Sequence, residues 1–228
     1  MKTADIYLYN RILNKHEGFN MWMAFPGPES FALSSLGFLW MFKNIDERED
    51  VNIETVYSDT INTRFNPTEL GLIGYSFSFD TDFLTIFSML EKYNIPLKTV
   101  ERGEEFPLIF AGGPVVSANP EPYADFFDFF IIGDGEDINS QIVDICKNNS
   151  DKSQIERLKL INELDGVYVP SFERKVVKKL TKRLEECIYT PIISERAFFK
   201  NTFILEVARG CANRCGFCLA SYLNLPLR

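Results

Sequence analysis

Three cysteines fall within eight residues in the stretch Arg209-Gly210-Cys211-Ala212-Asn213-Arg214-Cys215-Gly216-Phe217-Cys218, spaced C-x3-C-x2-C. Thiolate sulfur is a soft ligand suited to zinc or to iron–sulfur clusters. A regular strand throws successive side chains to opposite faces, so three thiolates can reach one point only from a loop. Gly210 and Gly216 give this loop the backbone freedom it needs. A structural zinc site takes four ligands, commonly paired Cys or Cys/His groups. Here no fourth Cys or His follows, and the single histidine, His16, stands far upstream as an expected surface side chain. Three ligands suit a four-iron cluster with one iron left open; structural zinc and unligated core thiols are the alternatives. The two further cysteines, Cys146 and Cys187, make an odd total of five without a secretion signal, which argues against a disulfide framework.

A strand running into a loop is the element that must position such a cluster, and Thr202–Val207 is expected to be that strand. Upstream, strands are expected at Met21–Phe25, Val51–Tyr57, Leu72–Phe77, Leu108–Ala111 and Phe129–Ile132, all rich in aromatic and β-branched residues. Helices are expected between them at Ser30–Lys43 and Asp80–Tyr93, each opening on a capping residue, and at Ile138–Lys147 after the last strand. Alternation of this kind predicts an α/β fold: an open, mostly parallel Rossmann-like sheet with helices on both faces. Ser153–Leu164 reads as another helix and Val167–Val169 as a short strand. The basic run Arg174, Lys175, Lys178, Lys179, Lys182, Arg183 reads as a solvated connector. The expected organisation is a sheet domain over 1–150, a helix and basic linker over 151–200, and a new element over 201–228.

Several Gly, Pro, Ser and Asp clusters come directly after expected strands: Pro26-Gly27-Pro28, Ser58-Asp59, Ser76 and Ser78, Gly112-Gly113-Pro114, and Gly133-Asp134-Gly135-Glu136. In a doubly wound sheet these segments line the carboxyl edge, where ligands bind. Ser76, Ser78, Gly112, Gly113, Pro114, Gly133, Gly135 and Glu136 are therefore the candidate cofactor-binding residues. The same residue types also serve simply to turn the chain, and no GxGxxG or P-loop occurs among them.

The formal net charge of −8 argues against generic binding to nucleic acid or to an anionic membrane. The charge is uneven, −13 over residues 1–150 and +5 over 151–228. No apolar stretch is long enough to span a bilayer and no signal-peptide core opens the chain, so a soluble cytoplasmic protein is expected.

The cysteine loop, with an aromatic just before its third cysteine, resembles the signature loop of radical S-adenosylmethionine (SAM) enzymes. The stretches Leu108-Ile109-Phe110-Ala111-Gly112-Gly113-Pro114, Asn119-Pro120-Glu121-Pro122 and Ile132-Gly133-Asp134-Gly135-Glu136 resemble members of that family with an N-terminal cobalamin-binding-like domain, and Met23-Ala24-Phe25-Pro26-Gly27 and Asn94-Ile95-Pro96-Leu97 suggest an uncharacterised subgroup. The resemblance covers about 20–228. It implies that Cys211, Cys215 and Cys218 hold a [4Fe-4S] cluster, and that SAM binds its open iron and is cleaved to a 5′-deoxyadenosyl radical. Phe217 would lie beside the SAM adenine. It also implies an electron donor such as a ferredoxin or flavodoxin, a substrate not specified by the sequence, and cobalamin where the family uses it. No Asp-x-His-x-x-Gly occurs, so a bound cobalamin would lack the histidine lower ligand. By the same resemblance Thr202–Val207 is the first strand of a (β/α) barrel. One strand cannot close a barrel, so the chain is expected to be an N-terminal portion, inactive alone. A corrinoid- or ligand-binding module with a vestigial cysteine loop is the alternative.

Overall fold

The computed structural model describes residues 5–12, 18–181 and 187–228. His16, Lys182 and Arg183, singled out above, lie outside them. In chain order the elements are β1 (Ile6–Tyr7), β2 (Phe19–Phe25), α1 (Glu29–Ala32), α2 (Leu36–Asp46), β3 (Val51–Tyr57), β4 (Leu72–Ser76), α3 (Asp82–Lys92), β5 (Leu108–Gly112), α4 (Pro114–Ala118), β6 (Phe129–Ile131), α5 (Ile138–Asn148), α6 (Gln154–Asn162), β7 (Val167–Tyr168), β8 (Ile192–Ile193) and α7 (Leu219–Leu223).

Six strands form one sheet in the order β3-β2-β4-β5-β6-β7, parallel except for β7, which runs antiparallel beside β6. The register sets Met21 beside Leu72, Leu72 beside Leu108, and Phe110 beside Phe129. Strands covered on both faces read as continuous apolar runs, and successive residues go to opposite cores. Met21, Met23, Leu72, Phe110, Phe129 and Ile131 point to the side of α2, α5 and α6. Trp22, Ala24, Ile73, Tyr75, Ile109 and Phe130 point to the side of α3. Gly74 leaves room for the Phe110 ring, which lies flat on Phe129 with centroids 5.0 Å apart; a Cβ at Gly74 would come within 2.5 Å of that ring.

Buried Arg102 locks the strand ends. Its guanidinium donates to the carbonyls of Pro96, Leu97 and Phe126 and to Asp128, whose carboxylate also accepts the Ile109 N–H at 2.7 Å. The sheet continues past residue 150: the Ser153 hydroxyl and the Glu156 side chain make a reciprocal capping box that starts α6, and β7 follows it into the sheet.

Three expectations need correction. The helix expected over Ser30–Lys43 is two helices, because the chain turns through Leu33–Ser35 and restarts at N-cap Ser35. Leu33 is buried at that turn, and the Ser34 hydroxyl donates back to the Ser30 carbonyl. Helix α3 begins at N-cap Thr81 rather than Asp80, and the Asp82 carboxylate accepts the Ser78 and Phe79 N–H groups ahead of it. Thr202–Val207 is not a regular strand. Among the described residues it makes only an isolated antiparallel bridge between Leu205 and Tyr189, which leaves Val207 86% exposed. Two backbone hydrogen bonds flank that bridge, from Thr190 N–H to the Ile204 carbonyl and from Glu206 N–H to the Ile188 carbonyl, and a β-ladder needs such pairing along its whole length.

Among the described residues no helix is long and apolar enough to cross a membrane.

Candidate functional site

The loops at the carboxyl ends of β4, β5 and β6 surround a cavity of about 510 Å³. All eight loop residues expected to approach a cofactor line it: Ser76, Ser78, Gly112, Gly113, Pro114, Gly133, Gly135 and Glu136. Met21, Met23, Leu72, Phe110 and Ile131 form an apolar floor, and Met41 and Asn139 contribute from α2 and α5. The strand order places this cavity beside the point where the chain reverses direction across the sheet, between β2 and β4.

Two glycines hold the cavity's backbone in shapes other residues resist. Gly113 has φ 123° and ψ −179°, and a Cβ there would lie 2.5 Å from the Phe77 carbonyl oxygen. That carbonyl accepts the Val115 N–H as the chain enters α4. Gly133 has φ 107°, and a Cβ would lie 2.0 Å from the Lys179 carbonyl oxygen. Close approach is required there because Lys179 N–H donates to the Ile132 carbonyl and its own carbonyl accepts the Asp134 N–H. Part of the basic run thus passes directly against the cavity, with Lys178 on its wall, and is not a solvated connector throughout.

The mouth carries a cluster of charges that sequence reasoning missed. Arg209 Nη1 lies 2.6 Å from Glu136 Oε1 and 3.1 Å from Asp134 Oδ1. Its Nε and Nη2 donate to the two carboxylate oxygens of Glu206, each at 2.9 Å. Arg228 Nη1 also reaches Asp134, at 2.6 Å, and Asp134 accepts the Thr181 N–H at 2.8 Å. Burial pushes the Asp134 carboxyl up, but the Thr181 N–H and the Arg228 and Arg209 guanidiniums outweigh it and leave the group below its ordinary pKa. Burial pulls the Lys178 ammonium down, against the attraction of Asp134. Glu136 Oε2 and Asn139 Oδ1 are buried without a hydrogen-bond partner. An apolar floor with two unsatisfied acceptors at one end suits a ligand with an apolar body and hydrogen-bond donors. Asp134 and Glu136 stood within a quoted motif, but their partner lies in another part of the chain, and no local pattern announces such a contact.

Arg209 also begins the cysteine loop. Gly210, with φ 102°, turns the chain sharply; a Cβ there would lie 2.4 Å from the Asn224 carbonyl oxygen. Arg209 and Arg228 exchange reciprocal backbone hydrogen bonds of 2.8 Å. Between these ties, Cys218 N–H donates to the Cys215 carbonyl, and the Tyr222 hydroxyl donates to the Arg214 carbonyl. Cys211, Cys215 and Cys218 are free thiols, each half-buried. Hydrogen bonds from Ser221 hold the Cys218 thiol below its ordinary pKa. Among the described residues no three His, Cys, Asp or Glu side chains stand as a ready-made metal-binding group. Besides the turn hydrogen bonds, the Asn213 N–H donates to the Cys211 sulfur at 3.5 Å. The donor set fits a thiophilic metal by its chemistry and spacing. Phe217 is 93% exposed and does not line the cavity.

Residues 37–170 match a family model described as radical SAM proteins, N-terminal. The uncharacterized protein MJ0966 of Methanocaldococcus jannaschii is 28% identical over 218 residues, covering 92% of this chain and 43% of that protein. A solved structure of the cobalamin-dependent S-adenosylmethionine radical enzyme OxsB, with aqua-cobalamin and S-adenosylmethionine bound, matches at a TM-score of 0.54 and 16% identity. That match covers 89% of this chain and 28% of the other, and at this identity the likeness is one of fold. The chain thus spans less than half the length of either protein.

Proposed function

This chain belongs to the radical SAM proteins through their N-terminal family, and on that premise we propose that it is the N-terminal part of a cytoplasmic enzyme whose loop cysteines Cys211, Cys215 and Cys218 hold a [4Fe-4S] cluster. The chemistry such a cluster supplies is one-electron reduction of SAM to methionine and a 5′-deoxyadenosyl radical. Such chemistry would draw its electron from a ferredoxin- or flavodoxin-type donor and would serve a substrate that the fold alone does not specify.

The chain's own residues do the positioning. Three thiolates ligate, Phe217 is free to cover the SAM adenine, and Arg209 ties the start of the loop to the cavity mouth. The observation that carries this reading is the C-x3-C-x2-C loop leaving directly from that ion cluster, in a chain of this family.

The test is anaerobic reconstitution of the full-length protein with iron and sulfide. A cluster of about four irons is expected, with SAM altering its reduced EPR spectrum, and Cys215→Ala should not assemble it. Stoichiometric, stable zinc with no cluster would overturn the reading.

The cavity favours a second reading, a corrinoid-binding module with a vestigial cysteine loop. Carboxamide side chains are hydrogen-bond donors, which matches the unpartnered Glu136 Oε2 and Asn139 Oδ1 above an apolar floor. Saturable binding of hydroxocobalamin, followed by its visible spectrum, supports it; spectral change without saturation does not.

A further inference from the structure

We propose that Arg209 is a positioning residue: by clasping Glu136 and Asp134 it fixes the cysteine loop over the mouth of the cavity, so that the two sites are mechanically one. The clasp joins segments far apart in sequence. Its guanidinium is largely buried, with 14% of the side chain exposed, and its partners Asp134 and Glu136 are 10% and 20% exposed. Charge-assisted hydrogen bonds at this burial are stronger than surface ion pairs, and a forked guanidinium fixes direction as well as distance.

Three further features tie the clasp to both sites. Glu206, which lies in the same segment, occupies the other side of the Arg209 fork and so fixes which nitrogen faces the cavity loop. The sharp turn at Gly210 carries the chain from the clasp straight to Cys211. Glu136 uses one oxygen on Arg209 and keeps Oε2 unpartnered, and it lines the cavity. A ligand that donates to Glu136 therefore touches the residue that holds the cysteine loop. The contacts made by Arg209 reach neither substrate nor cysteine sulfur, so its role is exercised through the loop.

The inference deepens the cluster reading and rests on it for its catalytic meaning, but its test needs no cluster. In metal-free, full-length protein kept anaerobic, the alkylation rate of each thiol by N-ethylmaleimide is followed by mass spectrometry. Exposed Cys187 supplies the reference rate, and fully buried Cys146 reports whether the sheet is intact. In Arg209→Ala, labelling of Cys211, Cys215 and Cys218 should rise about tenfold relative to Cys187, as expected when charge-assisted hydrogen bonds no longer oppose local opening. Cys146 should stay protected.

Glu136→Gln should produce a smaller rise of the same kind, and it should add little on top of Arg209→Ala, because the contact it weakens is already gone there. Arg209→Lys should fall between, and Glu206→Gln should do least because it leaves the contacts across to Asp134 and Glu136. If Arg209→Ala also exposes Cys146, Glu136→Gln decides in its place. Loop labelling unchanged within about twofold, or single effects that multiply in the double variant, would overturn the clasp. Failure of the wild type to assemble a cluster would instead sink the cluster reading, with the labelling pattern still deciding the clasp.

Discussion

Adjacent glycines on the cavity wall should answer very differently to the same added methyl group. Gly112 ends β5 in extended backbone, and a Cβ there would meet only Ile131 Cβ at 3.7 Å, an ordinary contact. Gly113, one residue on, has backbone angles open essentially to glycine alone, which cost another residue about 1–3 kcal/mol. Its Cβ would also stand 2.5 Å from a carbonyl oxygen fixed by backbone hydrogen bonding, and forcing such a contact adds roughly 1–3 kcal/mol. Gly113→Ala is therefore expected to lose about 2–6 kcal/mol. Gly112→Ala should stay within about 1 kcal/mol of wild type, on the stabilising side, because it restricts the unfolded chain without straining the native one. Urea unfolding by circular dichroism, with m-values compared, measures both. Equal losses at the two positions would refute the backbone argument. The same logic selects the variant for ligand work: Gly112→Leu projects into the cavity from tolerant backbone and should abolish hydroxocobalamin uptake with the fold retained. Undiminished binding in a folded Gly112→Leu would remove the cavity as the ligand site.

Arg102→Ala should cost about 3–5 kcal/mol in the same assay, since it removes the cationic partner of the buried Asp128 carboxylate and the donor to three carbonyls; a loss below about 1 kcal/mol would contradict this. Asp134 contributes to the pH dependence of stability. Its folded pKa is depressed, so its contribution is fully present above the unfolded value near ~3.9 and is lost as pH falls through the folded one. Glu136, Arg209, Arg228 and Lys178 are the charged groups around it. Unfolding midpoints at pH 7, 5 and 3 should fall more steeply on the acid side for wild type than for Asp134→Asn, and parallel slopes would disprove the assignment.

The sheet was legible because its strands obey a short-range rule. Val51–Tyr57 carries β-branched and aromatic residues between polar ones and Phe129–Ile131 is an apolar run, and each stands in the structure within a residue of its expectation. The carboxyl-edge loops were legible for the same reason: a parallel sheet puts every such loop on one edge, so Ser76, Gly112 and Gly133 had to come together once their strands were identified. The interruption at Leu33–Ser35 was not legible, because helical spacing continues across it while burial of Leu33 and the Ser34 hydrogen bond decide the turn. Thr202–Val207 has strand composition without a ladder, and composition cannot supply a neighbour. Arg209 lay beyond sequence reading for a different reason. A guanidinium next to a cysteine loop has many carboxylates to choose from, and only the folded chain selects Asp134 and Glu136.

The reciprocal backbone pair between Arg209 and Arg228 turns the segment between them into a closed ring of about 20 residues. A free segment of that length would give up roughly 2–3 kcal/mol of chain entropy, by the logarithmic length dependence, merely to bring its ends together. Here that entropy is surrendered on folding, before anything binds. What an incoming ion must still restrict is confined to the interior of the ring, which holds Cys211, Cys215 and Cys218. Loop affinity in this design depends on chain length between anchors as well as on sulfur chemistry, and residues inserted between Cys218 and Arg228 should weaken it without touching a ligand.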